Sequence, residues 1–334
     1  MGTGGAPATP ENNQLWDDSG EAARNGRQYM DYVESHLLDM DERIKIMDGT
    51  GIERTILSLT SPDIQSITDT ELAAKVARDT NDLVKSNFVY KRLDRLSMFA
   101  CLPTQDGTAA AVELRRTVGE LGAVGALING YTNVPDANTA RYLDDDAYEP
   151  MWAAVEELGV PVYLHPREPL PAQQAIYAGY ESLVGSAWGF AHETATHAVR
   201  LMLSGLFDRH PGVQVILGHL AEGLPFLLPR LEYRLDKQKD GAGLGSARRK
   251  VSEYFSDNFY ATTSGHCPHP HTVQHDRRAR GEPGHVLCRL SLRDDGGGRR
   301  LVRLFPAVPQ RRAEDRPGQR PPSLRQHHLT AATI

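Results

Sequence analysis

Two histidines in this 334-residue chain stand where a β-branched run ends: His165 in "VPVYLHP" and His219 in "VQVILGHLAEG". A neutral imidazole binds divalent metals and moves protons near neutral pH. Glu222 follows His219 by three residues. A carboxylate at that reach can hold the far ring nitrogen, fix the tautomer and raise the basicity of the ring. Asn129 closes a third apolar run, "AVGALING", and Thr60, Ser61, Thr263, Ser264 and His266 close two others. Each residue has a plainer reading: a structural histidine, or a glutamate favoured by a helix start. Histidines closing at least two separate runs favour a shared metal-dependent or acid–base site.

The elements that must position these residues alternate. "ERTILSLTSP", "LSMFACLP", "AVGALING", "VPVYLHP", "VQVILGH" and "NFYATTSGH" read as strands. Between them, "DTELAAKVARDTNDLVKSNF", "GTAAAVELRRTVGELG", "YEPMWAAVEELG", "HETATHAVRLMLSGLFDRHP" and "LPFLLPRLEYRLDK" carry helical periodicity. Strands joined through helices of this length form a parallel sheet. No G-x-G-x-x-G follows a strand, so a dinucleotide fold is disfavoured. The expectation is α/β, a (β/α)8 TIM barrel, incomplete at its last strand or strands. Catalytic groups of that architecture sit at the carboxyl ends of the strands.

Composition narrows the class further. The net charge is −6 and 40% of residues are apolar; nothing here invites nucleic acid or an anionic membrane surface. There is no run of 18 apolar residues, so no membrane span is expected. The amino end, "MGTGGAPATPENNQ", does not read as a signal peptide, and three cysteines in no metal spacing suggest a reducing, cytoplasmic setting. Composition then changes near Cys267. The residues beyond it hold thirteen arginines against six acidic residues and no Lys, Tyr, Trp, Met or Asn. The expected organisation is an N-terminal segment 1–28, a barrel body 29–266, and an Arg/Pro/Gly-rich, disordered tail 267–334.

The stretches "VPVYLHPREPLP", "WGFAHETATHAVRLMLSGLFDRHP", "VILGHLAEGLPFLLPRLEYR" and "YFSDNFYATTSGH" together resemble the amidohydrolase superfamily. The resemblance is to its metal-dependent aromatic-acid decarboxylase branch, of the γ-resorcylate and 2,3-dihydroxybenzoate type. It covers roughly residues 29–266. It implies non-oxidative decarboxylation of an ortho-hydroxybenzoate of dihydroxybenzoate, resorcylate or orsellinate type. The cofactor implied is a divalent metal, Zn2+, Mn2+ or Mg2+, with no organic cofactor; a homodimer or homotetramer is also implied. By the same resemblance His165 and His219 stand at the metal, with His219 the catalytic histidine, Glu222 its partner and Asn129 in the substrate pocket. His192, His197 and Arg230 match positions without an assigned role. A lactone, amide or ester hydrolase on the same barrel, and an inactive homologue, are the alternatives; no lysine ends a strand to bridge the two metals of typical hydrolases.

Two motifs that the resemblance implies do not occur. One is an amino-terminal A-L-E-E-H, whose Glu and His are metal ligands on the first strand. The other is F-S-x-D-x-P after the last matched strand, whose Asp completes the metal site. Reading codons compatible with residues 285–298 one base over allows M-F-C-V-D-Y-P-Y-E-T-M-E-E-A, which contains the second motif, Asp included, with Cys in place of its Ser. The tail therefore reads as a one-base frame change near Cys267, which also accounts for its arginine excess if the DNA is GC-rich. "GTGGAP" allows A-L-E-E-H in the same way, and a misplaced start codon explains that end equally well.

Overall fold

In a computed structural model the described residues are 39–50, 52–61, 63–238, 245–262 and 264, with the short strands 287–290, 302–304 and 330–331. The segment 1–28, Thr263, His266, Cys267 and the remainder of the tail lie outside them. Six parallel strands follow one another around the sheet in chain order: β1 (Thr55–Leu57), β2 (Leu96–Met98), β3 (Ala126–Asn129), β4 (Val162–His165), β5 (Val215–Leu217) and β6 (Phe259–Thr262). β1 pairs with β2, and β3 through β6 pair in sequence. The step from β2 to β3 is a parallel bridge between Ala100 and Ala126, flanked by backbone bonds from Val124 to Met98 and from Leu127 to Ala100.

The helices between them are α1 (Met40–Thr50), α2 (Thr70–Val84), α3 (Gly107–Arg116), α4 (Glu149–Leu158), α5 (Gly189–Leu203), α6 (Leu224–Leu235) and α7 (Val251–Asn258). Local chemistry sets their ends. Asp69 and Asp106 cap α2 and α3 by accepting from backbone N–H groups of the first turn, a contact worth about 1 kcal/mol. Pro150 starts α4, and Gly159 ends it with a left-handed φ of 62°. The "HETATH…DRHP" stretch is not one helix. Gly205 adopts φ 76° and divides α5 from a single turn, Leu206–Arg209.

Alternation along the strands sorts the side chains. Leu57, Met98, Ile128, Leu164, Leu217 and Ala261 face outward into the main core, with helix residues such as Trp152, Val155 and Leu201. Ile56, Phe99, Leu127, Tyr163, Ile216 and Tyr260 pack together as a second cluster, one residue from each strand or the position just beyond it. That inner layer fills the lumen, as in a TIM barrel, which is the architecture of this chain. Each fully buried aliphatic side chain contributes roughly 1.5–3 kcal/mol.

Beyond β6 the parallel run stops. β7 (Leu287–Leu290) pairs antiparallel with β6, and β8 (Val302–Leu304) antiparallel with β7. β9 (Thr330–Ala331) lies parallel beside β1. Among the described residues, the strands that would close the cylinder with a parallel neighbour of β6 are absent.

Candidate active site

Two residues on from the inner layer, towards the carboxyl ends, the same inward face carries Asn129 on β3, His165 on β4, Gly218 after β5 and Thr262 on β6. Asn129 and His165 are register partners at the ends of their strands. His165 Nδ1 is 2.9 Å from the Pro166 carbonyl oxygen, so Nδ1 carries the proton and donates it. The lone pair is then on Nε2. Burial, with the neighbouring His219 adding to it, pushes the His165 imidazole down to about 4, against a weaker upward pull from the Pro166 carbonyl. A neutral ring with a free Nε2 is the form that ligates a metal.

β5 ends at Leu217, and Gly218 carries the chain in extended conformation into an unusual turn. His219, Leu220, Ala221 and Glu222 all have left-handed φ, of 48°, 57°, 59° and 53°, before Gly223 at 76°. Non-glycine residues pay roughly 1–2 kcal/mol each for that conformation, and such strain collects at functional sites. Its product is a single contact: His219 Nδ1 lies 2.6 Å from Glu222 Oε1. The glutamate side chain is 3% exposed and the imidazole 36%, so the carboxylate is the fixed member and the far edge of the ring is open. Ser264 Oγ accepts from the His219 backbone N–H at 3.2 Å and is 2.7 Å from Thr262 Oγ1. The Tyr163 hydroxyl interacts with both hydroxyls. β4 and β6 thus support the turn from below.

Opposite lies Asn129, buried completely. Its backbone N–H donates to Gln65 Oε1 at 3.1 Å and its Nδ2 to Asp63 Oδ2 at 3.0 Å. Its Oδ1 has no hydrogen-bond partner among the described residues. Asp63, itself at φ 55°, has its carboxyl raised to about 7 by burial, against the pull of the Ile64 N–H and the Asn129 amide.

The structure therefore gathers Asn129, His165, His219 and Glu222 at one end of the strands. His197 is elsewhere: it is buried, its Nε2 accepts from the Leu143 N–H at 2.9 Å, and it packs edge-on to Tyr142. His192 stacks near Trp188, and Arg230 is exposed on α6. Sequence reasoning missed Asp63, Gln65 and Tyr163. The "TSPD" turn was the one available signal for Asp63. Among the described residues no three His, Cys, Asp or Glu side chains form a metal-ligand group. The donor chemistry of His165 suits a divalent cation, and the carboxylate ligands that the resemblance implies belong to the two motifs that do not occur in the sequence.

A parallel α/β barrel with paired imidazoles at the carboxyl ends of its strands defines a metal-type hydrolase or lyase of the amidohydrolase class. Residues 34–238 match the Amidohydrolase family, and the chain belongs to it. A γ-resorcylate decarboxylase of Rhodococcus jostii (strain RHA1) is 48% identical over 241 residues, 71% of this chain and 73% of that protein. A crystal structure of a 2,6-dihydroxybenzoate decarboxylase with 2,6-dihydroxybenzoate is 48% identical, with TM-score 0.65, covering 68% of this chain and 69% of that one. The dihydroxybenzoic acid decarboxylase of Polaromonas sp. JS666, solved with manganese and 2-nitroresorcinol, is 43% identical with TM-score 0.69, covering 74% of each chain.

Proposed function

We propose that this chain catalyses metal-dependent, non-oxidative decarboxylation of an ortho-hydroxybenzoate. The observation that carries the reading is the His219–Glu222 contact at 2.6 Å, beside the neutral ring of His165 on the same mouth. Decarboxylated directly, an aryl carboxylate would leave an unstable aryl anion. Protonating the ring carbon that bears the carboxylate avoids it.

In that sequence His219 is the proton donor. Glu222, acceptor at Nδ1, orients the ring with its Nε2 edge turned outward. The proton moves from Nε2 to the ring carbon, aromaticity is lost, and the carbon–carboxylate bond breaks. Its electron pair returns to the ring, CO2 leaves, and His219 regains a proton from water. Asn129 Oδ1, the buried acceptor left open, takes the hydrogen of a phenolic hydroxyl, because its amide N–H is committed to Asp63. His165 Nε2 would hold the divalent cation, Zn2+, Mn2+ or Mg2+. When bound, that cation supplies charge stabilisation for the substrate carboxylate and ortho oxygen.

The test is CO2 release from 2,6-dihydroxybenzoate, 2,3-dihydroxybenzoate and orsellinate with each metal added. Stoichiometric CO2 and the matching phenol are expected. Hydrolysis of a lactone or ester without CO2 release from any of these acids would overturn the proposal.

A further inference from the structure

The two strands whose last residues are Asn129 and His165 leave the sheet side by side, and one arginine spans the gap. Arg167 Nη1 donates to the Tyr131 carbonyl at 2.9 Å. Its guanidinium lies over the Tyr131 ring, 4.0 Å from the centroid. The Tyr131 hydroxyl donates in return to the Glu168 carbonyl at 3.2 Å. Three contacts thus cross between the segment after β3 and the segment after β4. The arginine is 4% exposed, so the contacts are made out of water, where they are strongest.

Gly130 completes the arrangement. Its φ is +67°, and a Cβ there would sit 2.8 Å from both Cγ and Cδ of Arg167. The arginine stem occupies the volume that any other residue at 130 would need. Behind the stem, α5 presents Glu193, Thr194 and His197, all buried. Arg167 Nε, both Glu193 carboxyl oxygens, Thr194 Oγ1 and His197 Nδ1 have no hydrogen-bond partner among the described residues; the Tyr142 hydroxyl approaches Glu193 outside ordinary hydrogen-bond geometry. Buried groups in such number are normally satisfied by ordered water. The decarboxylation steps above use none of these groups.

We propose that Arg167 is a positioning residue: it clamps Gly130–Tyr131 to the segment following His165, and so fixes Asn129 and His165 against each other across the mouth. The clamp rests on the reading of His165 and Asn129 given above, in that their separation matters for binding. Removing the arginine lets the two strand ends drift without touching metal or substrate directly. Adding a methyl at Gly130 pushes the clamp from the other side. Because both changes act on one contact, they are expected to be strongly non-additive.

The experiment is a double-mutant cycle with R167A, G130A and R167A/G130A, with R115A on the exposed face as control and R167K as the conservative variant. Two readouts are used: the Mn2+ dissociation constant by EPR titration, and amide hydrogen exchange over 128–131 and 164–168. R167A is expected to weaken Mn2+ binding about tenfold and to speed exchange in both segments. R167K, which keeps stem and charge but not the planar fork, falls between; it also serves if R167A does not fold. The double variant is expected to be no worse than R167A alone. Wild-type Mn2+ affinity and wild-type exchange in R167A, with only the melting temperature lowered, would overturn the proposal. If the unaltered protein binds no Mn2+, the metal reading fails, and unchanged exchange in R167A then refutes the clamp separately.

Discussion

The Nδ1 atom of His219 and the Oε1 atom of Glu222 are 2.6 Å apart, three residues apart in a turn that runs entirely in left-handed backbone space. The turn explains the contact. With all four residues left-handed, the Glu222 carboxylate comes back to the Nδ1 edge of the His219 ring. Chain direction, sheet support from Thr262 and Ser264, and burial of Ala221 all hold it there.

Removing the charge at position 222 should therefore lower turnover with little effect on substrate binding. Glu222→Gln is expected to reduce kcat about 10–100-fold, the scale of lost ligand-orienting contacts. His219→Asn is expected to reduce it about 10²–10⁴-fold, the scale of general acid–base catalysis. Steady-state kinetics with 2,6-dihydroxybenzoate check both. An unchanged kcat in His219→Asn would remove that residue from the chemistry.

The strain in the turn has its own signature. Ala221 is fully buried at φ 59°. Ala221→Gly removes a methyl but relieves the backbone, so urea unfolding should shift by less than about 1 kcal/mol in either direction. Ala221→Val places a β-branched residue where such residues are rare outliers and should destabilise by about 2 kcal/mol or more.

Much of the barrel is legible in the sequence, and the turn is not. β-Branched runs closed by Asn129, His165 and the Gly218–His219 pair mark the strand ends, because a buried parallel strand must be apolar until it reaches the mouth. Nothing in "HLAE" announces four left-handed residues; the glycine that usually flags such backbone comes only at position 223. Arg167 and Glu193 were equally hidden. Their roles depend on segments 26–63 residues apart in the chain meeting behind the strand ends, which periodicity does not report. Asp63 lies one residue past the "ERTILSLTSP" run, and its raised pKa follows from burial beside Asn129, which periodicity does not report.

Stability should fall on both sides of a mid-range pH. Burial, with Arg200 adding to it, pushes the His197 imidazole from 6.5 down to about 3. The unfolded chain takes up a proton that the folded chain refuses, so this contribution is lost as pH falls from about 6.5 towards 3. Burial pushes the Glu193 carboxyl up from 4.5 to about 8, against the pull of Arg167. The folded chain keeps that proton longer, so stability is lost as pH rises from about 4.5 to 8. Glu193→Gln should flatten the upper window, gaining on the order of a few kcal/mol relative to the parent at pH 8.5 but little at pH 5. Urea unfolding of the two proteins at both pH values measures it.

At the opposite end of β5 from the mouth, His210 sits between two carboxylates of α4. Its Nδ1 is 2.9 Å from Glu156 Oε2 and its Nε2 is 2.7 Å from Glu149 Oε1. Both ring nitrogens are thus partnered by carboxylates. His210→Phe should destabilise by about 1–2 kcal/mol, the loss of two partly solvated hydrogen bonds, and should leave Mn2+ affinity unchanged. A change in metal affinity would place this cluster in communication with the mouth.

The central claim is that the His165 ring holds a divalent cation at the carboxyl end of the parallel strands. Electron spin-echo envelope modulation of Mn2+ bound to the protein measures it directly, because a coordinated imidazole nitrogen modulates the echo. The account predicts histidine nitrogen modulation in the unaltered chain and its loss in His165→Gln at matched Mn2+ occupancy. Undiminished nitrogen modulation in His165→Gln would contradict it.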